Sequence, residues 1–138
     1  ASNLSPKRTK ILSMLLLTSI IRQFRLGRAP FTSEKLAQLH GIPLRLVHRL
    51  LQWMVGAELL NRVYTEDEKV PAYQPGQVIE RYSIESFIQK HDEYGTSIAA
   101  RGALLPIIED LYEVYMRRVD SEKYTLQAII DRVDSKEK

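Results

Sequence analysis

The sequence predicts a mostly α-helical fold, a winged helix-turn-helix with a small β-hairpin wing and additional N- and C-terminal helices. Three observations predict this fold. Two helical patterns are joined by a turn with a glycine, two short β-prone runs follow them, and further amphipathic helical patterns lie before and after this region. The chain has 138 residues, the size of one ordinary domain. We divide it into an N-terminal helix over 1–28, a winged helix-turn-helix over 29–95 and a C-terminal helical extension over 96–138.

The first predicted helix spans Pro6 to Leu26. Ser5 is a suitable N-cap, Pro6 fits the first helical position, and Gly27 provides a left-handed stop. Its apolar residues cover more than one face, so we expect the helix to be central to the core or covered by something absent from this sequence. The apolar stretch of residues 11–21 is about half the length that a bilayer requires.

The helix-turn-helix follows a proline-bearing segment, 28–32, which suits an edge strand or an extended lead-in. Thr32 caps a short helix that ends at His40, because Gly41 breaks it. Pro43 begins the next helix, which runs to about residue 57. Two helices joined by a turn with a glycine are typical of a helix-turn-helix.

The second of these helices has one narrow polar stripe when its residues are placed at 100° per residue. The stripe contains Arg45, His48, Arg49 and Gln52, and nearly all the remaining arc is apolar, including Trp53, which we expect in the core. Such a stripe suits contact with phosphates and base edges in a major groove. It is equally the solvated face that any surface helix has, and the sequence leaves both interpretations open.

The wing is predicted from the β-prone run 59–64, a charged turn over 65–69 and a second run over 70–74. Glu66, Asp67 and Glu68 lie at its tip, where they would repel a phosphate backbone. Binding of nucleic acid is therefore retained as an alternative and is not favoured.

Three further helices are predicted after the wing, from Ser83 to about residue 90, from about residue 98 to 118, and from Ser121 to about residue 133. The middle one has an apolar stripe at helical spacing: Leu104, Ile108, Leu111, Tyr115 and Val119. This stripe either packs within the chain or forms a dimer, and we expect packing within the chain.

Basic residues are concentrated in the first half of the chain. Residues 1–65 hold 10 Lys and Arg against 2 Asp and Glu, and residues 66–138 hold 10 against 15. Six cations flank the first helix: Lys7, Arg8, Lys10, Arg22, Arg25 and Arg28. They are interpreted either as a membrane-proximal zone attracted to anionic lipid or as ordinary helix-terminal charge.

Catalytic and metal-binding patterns are missing from the sequence. The chain has no cysteine, which excludes disulfides, thiol catalysis and cysteine-held metal or iron–sulfur centres. His40, His48 and His91 are too scattered for a zinc site, and the carboxylates around residues 109–113 suit a solvated helix face. We therefore predict a protein that is not an enzyme and has no metal or cofactor.

Three stretches together resemble a known family: LSPKRTKILSMLLLTSIIRQF, FTSEKLAQLHGIPLRLVHRLLQWMVGAELL and AYQPGQVIERYSIESFIQKHDEYG. They are similar to the cytoplasmic C-terminal winged-helix region of BrkB/YihY-type inner-membrane proteins, a family historically called ribonuclease BN. The chain begins with Ala1 rather than Met, which favours a fragment. The resemblance implies a non-enzymatic interaction module on the cytoplasmic side of the inner membrane, with self-association and the anionic membrane surface as partners.

The same elements, with YTLQAII near the C-terminus, also resemble the iron–sulfur-type winged-helix repressors, which dimerise through a long helix after the wing. Those repressors hold their cluster with three cysteines, so the cluster does not carry over to this chain. The alternatives are a winged-helix DNA-binding transcription regulator and part of a tRNA-processing ribonuclease.

Overall fold

The computed structural model describes residues 3–64, 69–117 and 125–137, and it confirms the predicted fold class. A short 3-10 helix spans Ile79–Arg81. The elements in chain order are α1 (Pro6–Arg25), β1 (Phe31–Thr32), α2 (Ser33–His40), α3 (Leu44–Gly56), β2 (Leu60–Val63), β3 (Ala72–Pro75), α4 (Ile84–Glu93), α5 (Leu104–Met116) and α6 (Leu126–Glu137).

The predicted helix caps are confirmed where the sequence placed them. The Ser5 hydroxyl accepts from the backbone N–H of Arg8 at 3.0 Å, and the Thr32 hydroxyl accepts from that of Lys35 at 3.2 Å. Gly41 has a φ of 63°, a left-handed conformation that lets the chain leave α2 and enter the turn before α3. These local signals fix the two helices of the helix-turn-helix.

The wing belongs to a three-stranded antiparallel sheet in the order β1-β3-β2. The lead-in segment is thus an edge strand, with Phe31 opposite Tyr73. At the base of the wing the buried Tyr82 hydroxyl donates to the carbonyl of Leu59 at 2.6 Å and accepts from the N–H of Gly76 at 3.0 Å. One side chain therefore ties together the two ends of the hairpin.

The core forms around α1, as its broad apolar band predicted. Leu16, Leu17 and Ile21 are fully buried, and α3 packs against them together with the sheet. Leu126 and Ile130 of α6 belong to the same core. Helices before and after the winged helix therefore share one hydrophobic core with it.

Two helix boundaries differ from the prediction. Helix α5 begins at Leu104 rather than near residue 98, because Gly102 has a φ of 130° and Pro106 is tolerated only in a first helical turn. Helix α6 begins after Thr125, whose hydroxyl accepts from the N–H of Ala128 at 3.0 Å, and it continues to Glu137.

Candidate nucleic-acid interface

The polar stripe of α3 lies on the surface. Arg45, His48, Arg49 and Gln52 are all exposed. We call these four residues the α3 ridge. They project from the outer side of the second helix of the helix-turn-helix, the helix that enters the major groove in proteins of this design.

The opposite side of α3 fixes the helix in place. Six of its residues are buried: Leu46, Val47, Leu50, Leu51, Trp53 and Met54. The indole Nε1 of Trp53 donates to the hydroxyl of Ser13 at 2.9 Å, which pairs a buried donor with a buried acceptor on α1. The α3 ridge is therefore presented by a rigid support, and Trp53 is a core residue as expected.

The wing tip residues Glu66, Asp67 and Glu68 lie outside the described residues. On the described part of the wing, Arg62 of β2 is exposed, and β2 packs on α3. The strand thus adds a cation beside the helix-turn-helix that the sequence did not single out.

Three of the six cations around α1 form ion pairs within the chain. Arg22 Nη2 lies 2.8 Å from Asp134 Oδ1 and 2.6 Å from Glu137 Oε2, and Arg25 Nη1 lies 2.7 Å from Asp131 Oδ1. These pairs join α1 to α6. The two carboxylates beside Arg22 raise its pKa, chiefly through the hydrogen bond to Asp134.

Lys10 forms the remaining pair, with its Nζ 3.4 Å from Asp92 Oδ1. Lys7, Arg8 and Arg28 are exposed. The six cations therefore do not form one continuous basic surface for binding lipid headgroups, because three of them pair with carboxylates of the protein itself.

Helix α5 does not bury its apolar stripe within the described chain. Leu104, Ile108, Leu111 and Tyr115 are 60–70% exposed, and no residue of α5 is buried. The expectation that the stripe packs within the chain is wrong for these four residues, and Val119 lies outside the described residues. The half-buried residues of α5 are Leu105 and Met116, on a different side of the helix.

An aromatic cluster packs against the buried side of α3. The ring of Trp53 meets that of His91 edge-on at 4.8 Å between centroids and that of Phe87 at 5.4 Å, and Tyr94 lies 5.9 Å away. Within the described residues, Nδ1 of His91 is buried and has no hydrogen-bond partner. Burial lowers the pKa of His91, repulsion from Lys10 lowers it further, and Asp92 partly offsets both.

Acidification should destabilise the fold through this histidine. The unfolded chain takes up a proton near the ordinary histidine pKa of 6.5, before the folded chain does, so the stability present above that pH declines as the pH falls toward the lowered pKa. Burial lowers the pKa of His40 as well, so both histidines contribute. Urea unfolding at a series of pH values should show this decline, and His91→Gln should reduce its slope. A variant with the wild-type slope would contradict the assignment.

A polar contact that the sequence did not predict joins α5 to α4. The hydroxyl of Tyr112 donates to Oδ2 of Asp92 at 3.0 Å, and this bond raises the pKa of the Tyr112 phenol. The two residues are twenty positions apart, so no local spacing rule could have paired them.

Among residues 3–64, 69–117 and 125–137, no group of three or more His, Asp or Glu side chains could hold a metal ion. Within the same residues, no helix combines the length and the apolar composition needed to cross a membrane. The structure thus adds no metal centre and no membrane span to what is described of the chain.

Solved structures similar to this chain include CymR and IscR proteins. CymR of B. subtilis, the global cysteine regulator, aligns with a TM-score of 0.64 and 12% identity over 94% of this chain and 97% of its own. IscR of T. potens aligns at 0.65 and 13% identity, over 96% and 90% respectively. CymR of Staphylococcus aureus aligns at 0.58 and 17%, over 88% and 93%. At these identities the likeness establishes the winged-helix fold.

Comparison of the sequence with protein families and with curated proteins found no match.

The predicted membership in the BrkB/YihY-type membrane family is wrong, and the predicted location at the inner membrane and the ribonuclease BN association fall with it. The structural neighbours match over most of both chains and are transcriptional regulators. The stretches that suggested the membrane family form a leucine-rich helix, a Gly-Ile-Pro turn and a short wing, and in this structure they supply the core and the turns of the winged helix.

Proposed function

We propose that this protein is a non-enzymatic DNA-binding transcription regulator that acts as a homodimer. The observation on which this rests is the α3 ridge, four exposed polar and basic side chains on the outward side of a recognition-type helix whose other side is buried. The likeness to CymR and IscR supports the same class of function.

The α3 ridge has the chemistry for base recognition. Arginine donates two hydrogen bonds to guanine, and glutamine pairs in a bidentate manner with adenine. Arg45 and Gln52 lie two turns apart on α3, so both can face base edges along one groove. Because Glu66, Asp67 and Glu68 would repel phosphates, we assign the DNA contacts to α3 and not to the wing tip.

The exposed side of α5 supports a dimer. Leu104, Ile108, Leu111 and Tyr115 fall within about 60° of one another around the helix axis, which makes a seam for a second copy of the same helix. We call these four residues the α5 seam. Apolar side chains exposed in a continuous row are typical of a protein interface, and most soluble oligomers are symmetric dimers.

The α3 ridge assignment is tested by fluorescence anisotropy with a pool of random-sequence duplexes and with duplexes enriched from that pool, at two salt concentrations. Wild-type protein should bind the random pool in the non-specific range of about 10⁻⁴ to 10⁻⁶ M, with affinity falling as salt rises. Arg45→Ala should weaken binding to enriched duplexes about 10-fold to 100-fold, since one bidentate contact is worth about 1–3 kcal/mol.

Arg101→Ala is the matched control, because Arg101 is equally exposed but lies in the segment before α5. It should bind as the wild type does. Binding weaker than about 10⁻⁴ M, or binding that ignores salt, would exclude DNA as the partner. Equal losses in the two arginine variants would point to general charge instead of the α3 ridge.

A further inference from the structure

Helix α5 is attached to the rest of the protein by few contacts. None of its residues is buried, and it packs extensively against no other helix or strand of the described chain. One polar contact between α5 and the body is the hydrogen bond from Tyr112 to Asp92. Because α5 buries none of its residues, this directional contact contributes to fixing the direction of α5 relative to the winged helix.

Asp92 links three helices. It lies in the last turn of α4, its Oδ2 accepts from Tyr112 of α5, and its Oδ1 lies 3.4 Å from Nζ of Lys10 on α1. Its side chain is 27% exposed, so the carboxylate is partly shielded from solvent. A hydroxyl that donates to a carboxylate makes a stronger and more directional bond than one between neutral groups.

The end of α4 is in turn fixed to the recognition helix. Phe87 and His91 of α4 contact the ring of Trp53 edge-on, and Trp53 is one of the buried residues of α3. Tyr94 follows Asp92 closely and covers Gly56, where a Cβ would lie 2.8 Å from the Tyr94 hydroxyl. Asp92 therefore belongs to the helix whose aromatic residues pack against the buried side of α3.

We propose that Asp92 is a positioning residue that, through Tyr112, fixes the angle between α5 and the winged helix and so sets the spacing of the two DNA half-sites. This inference rests on the proposed dimeric DNA-binding function. If two copies meet along the α5 seam, the angle at which α5 leaves each body determines the distance between the two α3 helices. That distance must match the separation of the half-sites along the duplex.

A small rotation of α5 would produce a displacement comparable with one base-pair step of DNA. Thirteen residues of α-helix make an arm of about 20 Å, and turning such an arm by about 10° moves its end by about 3.5 Å. One base-pair step along a DNA strand is about 3.4 Å. A change of about 10° in the angle of α5, after loss of the contact at Asp92, would therefore change the preferred half-site spacing by about one base pair.

The distance between the two recognition modules can be measured without DNA. The chain has no cysteine, so Lys35→Cys on the exposed side of α2 introduces one spin label per protomer. Pulsed electron-spin resonance of the labelled dimer should give one narrow distance distribution. Tyr112→Phe and Asp92→Ala should broaden or shift it, because each removes the hydrogen bond, whereas Asp92→Asn should stay close to the wild type because it keeps an acceptor. Glu109→Ala, an exposed change on α5, is the control and should leave the distribution unchanged.

The second measurement uses selection from the pool of random-sequence duplexes. Wild-type protein should enrich inverted repeats with one dominant spacing, and Tyr112→Phe should enrich several spacings at similar affinity for each half-site. A merely structural role would lower the melting temperature without changing the spacing profile.

The outcomes separate the two proposals. Unchanged distance distributions in both Tyr112→Phe and Asp92→Ala would overturn the positioning role while leaving the proposed function intact. Broadened distributions without DNA binding would uphold the part of Asp92 in fixing the angle of α5, and would overturn both the proposed function and the control of half-site spacing. A monomeric wild-type protein would overturn both the dimer and the positioning role.

Discussion

Leu111→Asp is expected to convert the proposed dimer into a folded monomer. Leu111 lies in the middle of the α5 seam and is 64% exposed within one chain, so a carboxylate there costs the isolated chain little. In a symmetric dimer the same substitution places two carboxylates in the interface. An unpaired buried charge costs about 3–5 kcal/mol, which corresponds to a dimer dissociation constant raised by more than about 100-fold.

The consequence for DNA binding follows from the dimer. Two linked recognition helices bind with an avidity that exceeds that of one helix by about 10² to 10⁴. Leu111→Asp should therefore lose most of the affinity for inverted repeats and keep the weak affinity for random duplex. Analytical ultracentrifugation measures the first effect, and anisotropy titration measures the second.

Val78→Asp is the matched control for this experiment. Val78 is 59% exposed and lies before the 3-10 helix, away from α5, so it receives the same chemical change in a similar environment. It should sediment as the wild type does. If Leu111→Asp also sediments as the wild type, the α5 seam is not the dimer interface.

Local signals in the sequence were sufficient for most of the fold. Caps such as Ser5 and Thr32, and the left-handed Gly41, depend on neighbours within four residues, so the sequence contains all the information. The α3 ridge was predictable for a similar reason, because a helix with one polar stripe can be buried in only one orientation.

The partners of charged side chains could not be predicted. Arg22 pairs with Asp134, 112 positions later in the chain, so its charge looked available for a membrane surface when the sequence was considered alone. Long-range pairing depends on how α6 returns to α1, which no periodicity encodes. The same limit hid the contact between Asp92 and Tyr112.

The exposure of α5 was also missed for a physical reason. An apolar stripe at helical spacing predicts that a helix is covered, and it does not say whether the same chain or a second copy covers it. The composition of the α5 seam is compatible with either arrangement. The structure favours a second copy as the partner of the seam. Leu105 and Met116 are half-buried, whereas the residues of the α5 seam are exposed.

Replacing Trp53 should have the largest effect on the free energy of unfolding, because this residue supports the recognition helix from within. Trp53 is 8% exposed, contacts the rings of Phe87 and His91, and donates to the fully buried hydroxyl of Ser13. Trp53→Ala removes the aromatic contacts, leaves a cavity and deprives the Ser13 hydroxyl of its donor. Substitutions of this kind cost about 3–5 kcal/mol. Urea unfolding followed by far-ultraviolet circular dichroism measures the loss without needing the tryptophan as a probe.

Two further variants separate stability from DNA recognition on the same helix. Trp53→Phe keeps one aromatic ring and loses the indole donor together with part of the buried ring volume, so it should cost about 1–3 kcal/mol, chiefly because the buried Ser13 hydroxyl is left without its partner. Gln52→Ala removes an exposed neighbour and should change stability by less than about 0.5 kcal/mol while weakening DNA binding. If Trp53→Phe weakened binding to enriched duplexes as much as Gln52→Ala while remaining fully folded, Trp53 would contact DNA directly. That result would contradict the division of α3 into a buried side that supports the fold and an exposed side that binds DNA.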